Sequence, residues 1–158
     1  MLRDAIIEIN NKKSNSSDLS IEEVEVNKRC KLFVGNAGSG KFAEASKYAD
    51  FCQVITGADE PTSLLLRLSF ANGKSSYDIS MFVMALKFGK TVLIDDINDC
   101  SDKLCTFFDY ILSHDTLNLE DFCSAEELKD IKETEIKISP DFKLIGTATP
   151  SSWRAMIK

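Results

Sequence analysis

Lys31-Leu32-Phe33-Val34-Gly35-Asn36-Ala37-Gly38-Ser39-Gly40-Lys41-Phe42 decides how the chain is read. A short apolar strand runs into a turn holding three glycines, a lysine follows, and residues 43–49 suit a helix. Gly35, Gly40 and Lys41 fit the phosphate-binding pattern G-x-x-x-x-G-K-[ST] up to its seventh position. Glycines let the backbone curl so that successive N–H groups point inward at an anion. A helix starting at Lys41 adds the partial positive charge of its N-terminus, and the ammonium supplies a full charge to the β- and γ-phosphates. Gly35, Asn36, Ala37, Gly38, Ser39, Gly40, Lys41 and Phe42 are therefore the candidate nucleotide-binding residues. The eighth position should carry a hydroxyl for Mg²⁺, and it carries Phe42. That departure bears on hydrolysis more than on binding. A glycine-rich strand-to-helix turn with no ligand is the alternative.

With 158 residues, 44% hydrophobic and 28% charged, the chain has the size and composition of one globular domain. A net charge of −6 argues against a general nucleic-acid surface and against anionic membranes. No apolar run approaches the ~18 residues of a membrane span, and residues 1–10 lack the apolar core of a signal sequence. Cys30, Cys52, Cys100, Cys105 and Cys123 show no C-x-x-C spacing. With a single histidine, His114, they read as reduced thiols of a cytoplasmic protein and not as a zinc site.

Outward from the loop, residues 1–11 have helical spacing at Leu2, Ala5, Ile6 and Ile9, and residues 11–18 are a polar linker. Residues 21–26 are either a short helix or an edge strand, and 63–70 either helix or strand. Strands are predicted at 30–34, 51–56, 91–94 and 142–145. A helix is predicted over 77–88, stopped by Gly89, and another from Ser101 or Asp102 to Leu112. Residues 116–138 are mixed and charged, with a capping box at Ser124-Ala125-Glu126-Glu127. Strands alternating with helices imply right-handed crossovers and a parallel sheet covered on both faces.

Thr91-Val92-Leu93-Ile94-Asp95-Asp96 is a strand closed by two acids. Beside a phosphate-binding loop, the first acid at such a strand end orients Mg²⁺ and its waters, and the second polarises an attacking water. Asp95 fits the metal role and Asp96 the catalytic one. The alternative is two acids that merely end a strand and cap a turn.

Together, Gly35 to Lys41, the run Thr91-Val92-Leu93-Ile94-Asp95-Asp96-Ile97-Asn98, and Phe142-Lys143-Leu144-Ile145-Gly146-Thr147-Ala148-Thr149-Pro150 resemble the AAA+ ATPases, in particular the dynein-related and MoxR-type branch. The second run looks like that branch's Asp-Glu-Ile-Asn, the third like its sensor strand, Phe-x-Leu-Ile-Ala-Thr-x-Asn-Pro. The resemblance implies an α/β, three-layer α/β/α P-loop NTPase fold with a mostly parallel sheet, binding ATP and Mg²⁺. It implies Thr149, or Thr147, as the γ-phosphate sensor, and an oligomer of like or unlike chains in which a neighbour supplies an arginine finger. Asp96 stands for the family's Glu, and Thr149 for its sensor Asn. The expected architecture is an N-terminal helix and polar linker over 1–29, then a core over 30–158 without the last core strand or the helical lid. Arg154 lies too close to the sensor strand to serve as the finger. Two functions follow: an ATPase domain with weak or oligomer-dependent hydrolysis, or a degenerate, non-hydrolysing nucleotide-binding or scaffold module.

Overall fold

The computed structural model describes residues 1–12 and 17–150. In chain order the elements are α1 (Leu2–Asn11), β1 (Glu22–Asn27), β2 (Cys30–Val34), α2 (Lys41–Ser46), β3 (Phe51–Cys52), α3 (Pro61–Leu65), β4 (Leu66–Ala71), β5 (Lys74–Ile79), α4 (Met81–Phe88), β6 (Thr91–Ile94), a 3-10 turn (Ile97–Asp99), α5 (Asp102–Ser113), β7 (Thr116–Asn118), a second 3-10 turn (Leu119–Asp121), α6 (Ala125–Leu128), β8 (Glu135–Lys137) and β9 (Lys143–Ala148). The central sheet has the order β1-β2-β9-β6-β3. β2, β9, β6 and β3 run parallel, and β1 closes one side antiparallel to β2 with a register shift between Glu25 and Asn27. The predicted α/β fold with a mostly parallel sheet is the one observed.

Alternation along the strands sorts the core into two layers. Leu32, Val34, Val92, Ile94 and Leu144 point to one face, where α1, α4 and α5 cover them with Leu2, Ile6, Ile9, Phe82, Leu86, Leu104 and Phe108. Phe33, Leu93 and Ile145 point to the other and meet Ala45 of α2. The first layer is the thicker. Phe82 sits at its centre, its ring centroid 6.2, 6.4 and 6.1 Å from those of Phe107, Phe108 and Phe142. Each such buried side chain contributes roughly 1.5–3 kcal/mol. Gly146 lets the turn after β6 lie directly on β9, because a Cβ there would fall 2.6 Å from Ile97 Cγ2 and 2.8 Å from Leu32 Cδ2.

The N-terminal residues share this core. Leu2, Ile6 and Ile9 are buried in it, and the N–H groups of Leu2 and Arg3 donate to the Asp109 carboxylate at 2.8 and 3.3 Å. Arg3 also pairs with Asp102 on α5. Residues 13–16 of the predicted polar linker, and residues 151–158 with Trp153 and Arg154, lie outside the described residues.

Several local expectations are corrected. The helix predicted over 77–88 begins at Met81, and Tyr77 to Ile79 belong to β5. Ile79 falls three residues before Phe82, so a helical spacing runs on through it. What stops the helix is Ser80, whose hydroxyl accepts the Val83 N–H at 3.2 Å and donates to the Leu64 carbonyl. Residues 63–70 are both helix and strand: Leu64 and Leu65 end α3, and β4 follows and pairs with β5 across Asn72-Gly73. The strand predicted at 51–56 is ordered as such only over Phe51–Cys52. The segment 21–26 resolves into the edge strand, with Val24 and Val26 half-buried between exposed glutamates. At Ser124 the capping box is made: its hydroxyl accepts the Glu127 N–H at 3.2 Å, and Glu127 Oε1 accepts the Ser124 N–H at 2.8 Å.

All five cysteines are free thiols. Cys100 and Cys105 flank the N-cap Ser101 of α5 in the positions of a hydrophobic staple. Their shared hydrogen bond holds the Cys105 thiol below its ordinary range and pushes that of Cys100 up. Burial pushes Cys30 up to about 12. His114 is the C-cap of α5, stacked on Tyr110 with centroids 3.9 Å apart. Among the described residues no helix is long and apolar enough to cross a membrane.

Candidate functional site

Where β2 ends, the Gly35 N–H donates to the Ala148 carbonyl at 3.1 Å, which ties the loop to the end of β9. A Cβ at Gly35 would lie 2.7 Å from Ser39 Oγ and 3.1 Å from the Ser20 carbonyl, so the loop closes over that position. The Ser39 N–H bonds back to the Asn36 carbonyl at 3.1 Å. Gly38 and Gly40 take φ of 81° and 83°, and a Cβ on either would meet nothing within 4 Å. The loop is thus tight beneath and open above, the shape an anion cradle needs. Lys41, the first residue of α2, is buried, and its Nζ donates to the Asn36 carbonyl at 3.4 Å. The ammonium folds back onto the loop. Ala37 is exposed on the rim, and Asn36 Nδ2 donates to the Asp18 carbonyl at 2.8 Å.

The acids lie at the same end of the sheet. Asp95 and Asp96 follow β6 and are exposed to a cleft of about 460 Å³ that they share with Phe42, Asp99 and the segment 52–57. Phe42 is 44% exposed and lines this cleft beside the two carboxylates. Cys52 lines it too. Burial first and the Asp95 charge second push its thiol up, so it stays protonated at neutral pH and adds no charge.

Thr147 joins the acids to β9. Fully buried, its hydroxyl donates to Asp95 Oδ1 and accepts the Asp96 N–H at 2.9 Å. Asp96 itself is held at φ 52° and ψ 45°, a left-handed conformation that Asp tolerates better than most residues. Beyond it, the buried Asn98 clasps the backbone of Thr149: Nδ2 donates to the Thr149 carbonyl at 2.9 Å and Oδ1 accepts the Thr149 N–H at 3.4 Å.

The residues singled out from the sequence therefore gather at the C-terminal ends of β2, β6 and β9. Of the two threonines read for one role, Thr147 reaches Asp95 with its side chain, and Thr149 is held through its backbone. Thr147 lies on β9, and Thr149 is the first residue past its end. Asn10 and Asp18, which touch Asn98 and Asn36, carry no local signal in the sequence. Thr147→Val keeps shape and removes both bonds. It should lower stability by about 1–2 kcal/mol, read by urea unfolding, because the Asp96 N–H loses its acceptor.

The donor set can be tested against ATP and Mg²⁺. The open glycines and Lys41 suit a phosphate chain. Among the described residues, Ser39 Oγ is a buried side-chain oxygen with no hydrogen-bond partner, on the closed side of the loop against Gly35. For Mg²⁺, which needs only one or two carboxylates when phosphates complete its shell, Asp95 fits. Position 42 offers no oxygen. Among the described residues no group of three or more His, Cys, Asp or Glu could hold a metal ion by itself.

No curated protein matches the chain. The sequence profile of the AAA domain (dynein-related subfamily) matches residues 31–156, from the second residue of β2 to beyond β9. Domains of this family bind nucleotide and usually assemble as oligomers. The loop, the two acids, Thr147 and Thr149 all lie within that span, and the chain belongs to the dynein-related AAA domains.

Proposed function

We propose that the chain is an ATP-binding AAA+-type ATPase domain whose hydrolysis is weak or depends on a neighbouring chain, like or unlike, that supplies an arginine. The observation that carries this reading is the loop: open above at Gly38 and Gly40, closed beneath at Gly35, with Lys41 folded over it. In this reading the backbone from Gly35 to Gly40, with Lys41, binds the phosphates. Asp95 holds Mg²⁺ through water, with Thr147 fixing its carboxylate. Asp96 positions the attacking water, one methylene shorter than the family's Glu, and Thr149, with Thr147 behind it, senses the γ-phosphate. When bound, Mg²⁺ neutralises charge on the phosphate oxygens. ATP rather than GTP rests on the family. The five free thiols suit a reducing, cytoplasmic setting.

A second reading, a non-hydrolysing nucleotide-responsive scaffold, is favoured by one feature: the Phe42 ring stands in the cleft beside both acids and cannot ligate a metal. The test is titration with a fluorescent ATP analogue, with and without Mg²⁺, beside a phosphate-release assay on wild type and Asp96→Asn. For the ATPase, wild type releases phosphate and Asp96→Asn holds ATP while releasing at least about 100-fold less, the scale of a misplaced catalytic group. Equal, zero release from both, with binding intact, supports the scaffold. No binding by wild type overturns both.

A further inference from the structure

Residues 1–12 lie outside the family-matched span of 31–156, yet the end of α1 reaches the site. Asn98 Nδ2 has two acceptors, each at 2.9 Å: the Thr149 carbonyl and Asn10 Oδ1. Asn98 is buried, so the direction of its amide decides whether the Thr149 clasp is made. An acceptor on one side of Nδ2 fixes that direction. With Asn10 in place, Nδ2 faces Asn10 and the Thr149 carbonyl, and Oδ1 is left for the Thr149 N–H. Asn98 also belongs to the 3-10 turn that follows Asp96, and the Asp99 N–H bonds back to the Asp96 carbonyl at 2.9 Å. One amide thus ties α1, the turn after the acids and the end of the sensor strand. α1 is a firm base for this contact, because Asp109 holds its first turn and its apolar face is in the main core.

We infer that Asn10 is a positioning residue: through Asn98 it sets Thr149, and so the preference of the site for ATP over ADP. The inference rests on the nucleotide-binding reading above and adds the N-terminal helix to it. Its ligand is the γ-phosphate of a nucleoside triphosphate. ADP lacks that group, so ADP affinity should not depend on Asn10.

The experiment measures Kd for ATP and for ADP on the same protein, with Asn10→Leu, which has no acceptor, and Asn10→Asp, which keeps one. Asn10→Leu should lower the ratio Kd(ADP)/Kd(ATP) by about fivefold, the scale of one hydrogen bond. ADP binding should be unchanged, and Asn10→Asp should restore the ratio. A purely structural role would move both nucleotides together, or track melting temperature and not acceptor chemistry; either result overturns the inference. So does an unchanged ratio in Asn10→Leu. If Asn10→Leu does not fold, Asn10→Ala carries the same ratio test. Wild type that binds neither nucleotide, or binds both independently of Lys41, overturns the nucleotide reading itself. That failure is recognised before any Asn10 variant is made.

Discussion

Lys41→Ala is expected to weaken binding of a fluorescent ATP analogue by about 100-fold or more, the cost of losing charge-assisted hydrogen bonds to two phosphates. The residue is buried and folded back on the Asn36 carbonyl, so its ammonium gives up little water when a phosphate chain takes that carbonyl's place. Truncation also removes a packed stem at the first turn of α2. Lys41→Met keeps the stem and removes only the charge, so the two variants should lose affinity alike while Lys41→Met melts near wild type. Unchanged affinity in either would mean that the glycine turn from Gly35 to Gly40 is a structural turn and nothing more.

The second large effect is expected at Phe42→Thr. The side chain is 44% exposed and stands in the cleft with Asp95 and Asp96, so its removal disturbs no core. A threonine there returns the hydroxyl that the phosphate-binding pattern places on Mg²⁺. Loss of a group that tunes a metal site commonly costs 10–100-fold in affinity or activity. Restoring this one should raise Mg²⁺-dependent phosphate release by about the same 10- to 100-fold, measured at saturating ATP with and without the metal. A gain confined to the Mg²⁺ assay would show that Phe42 is the brake. No gain would move the defect to the shorter Asp96 or to an arginine that a neighbouring chain would have to supply.

Two of the three strands that carry the site are legible in full; β9, predicted at 142–145, runs over Lys143–Ala148 because Gly146 lies within it, packed under Ile97, and does not end it. Cys30–Val34 and Thr91–Ile94 are apolar runs bounded by a glycine turn and by acids, and both were predicted with the bounds observed. The order of the glycine loop, the acid pair and the strand that carries Thr147 is legible because each run is contiguous in sequence. What stayed hidden depends on contacts between distant residues. Nothing near Asn10 announces that its amide meets Asn98, 88 residues on. The β4–β5 hairpin was missed because Ile79 fits a helical spacing with Phe82, and only the Ser80 hydroxyl ends that register. β7 and β8, three residues each, are too short to show an alternation. The segment 21–26 was ambiguous for a physical reason: an edge strand buries only half a face, so its pattern of Val24 and Val26 among glutamates is weak.

That outer strand has a further consequence. Glu22, Glu23 and Glu25 lie along the free side of the sheet, the bulge before Asn27 twists it, and β3 at the opposite border is only two residues long. Charge, distortion and shortness are the means by which natural sheets refuse a foreign strand. Two copies of this chain are thereby kept from zipping border to border into an endless ladder. At the central sheet, contact with a neighbour is left to helices, loops and clefts and not to backbone pairing.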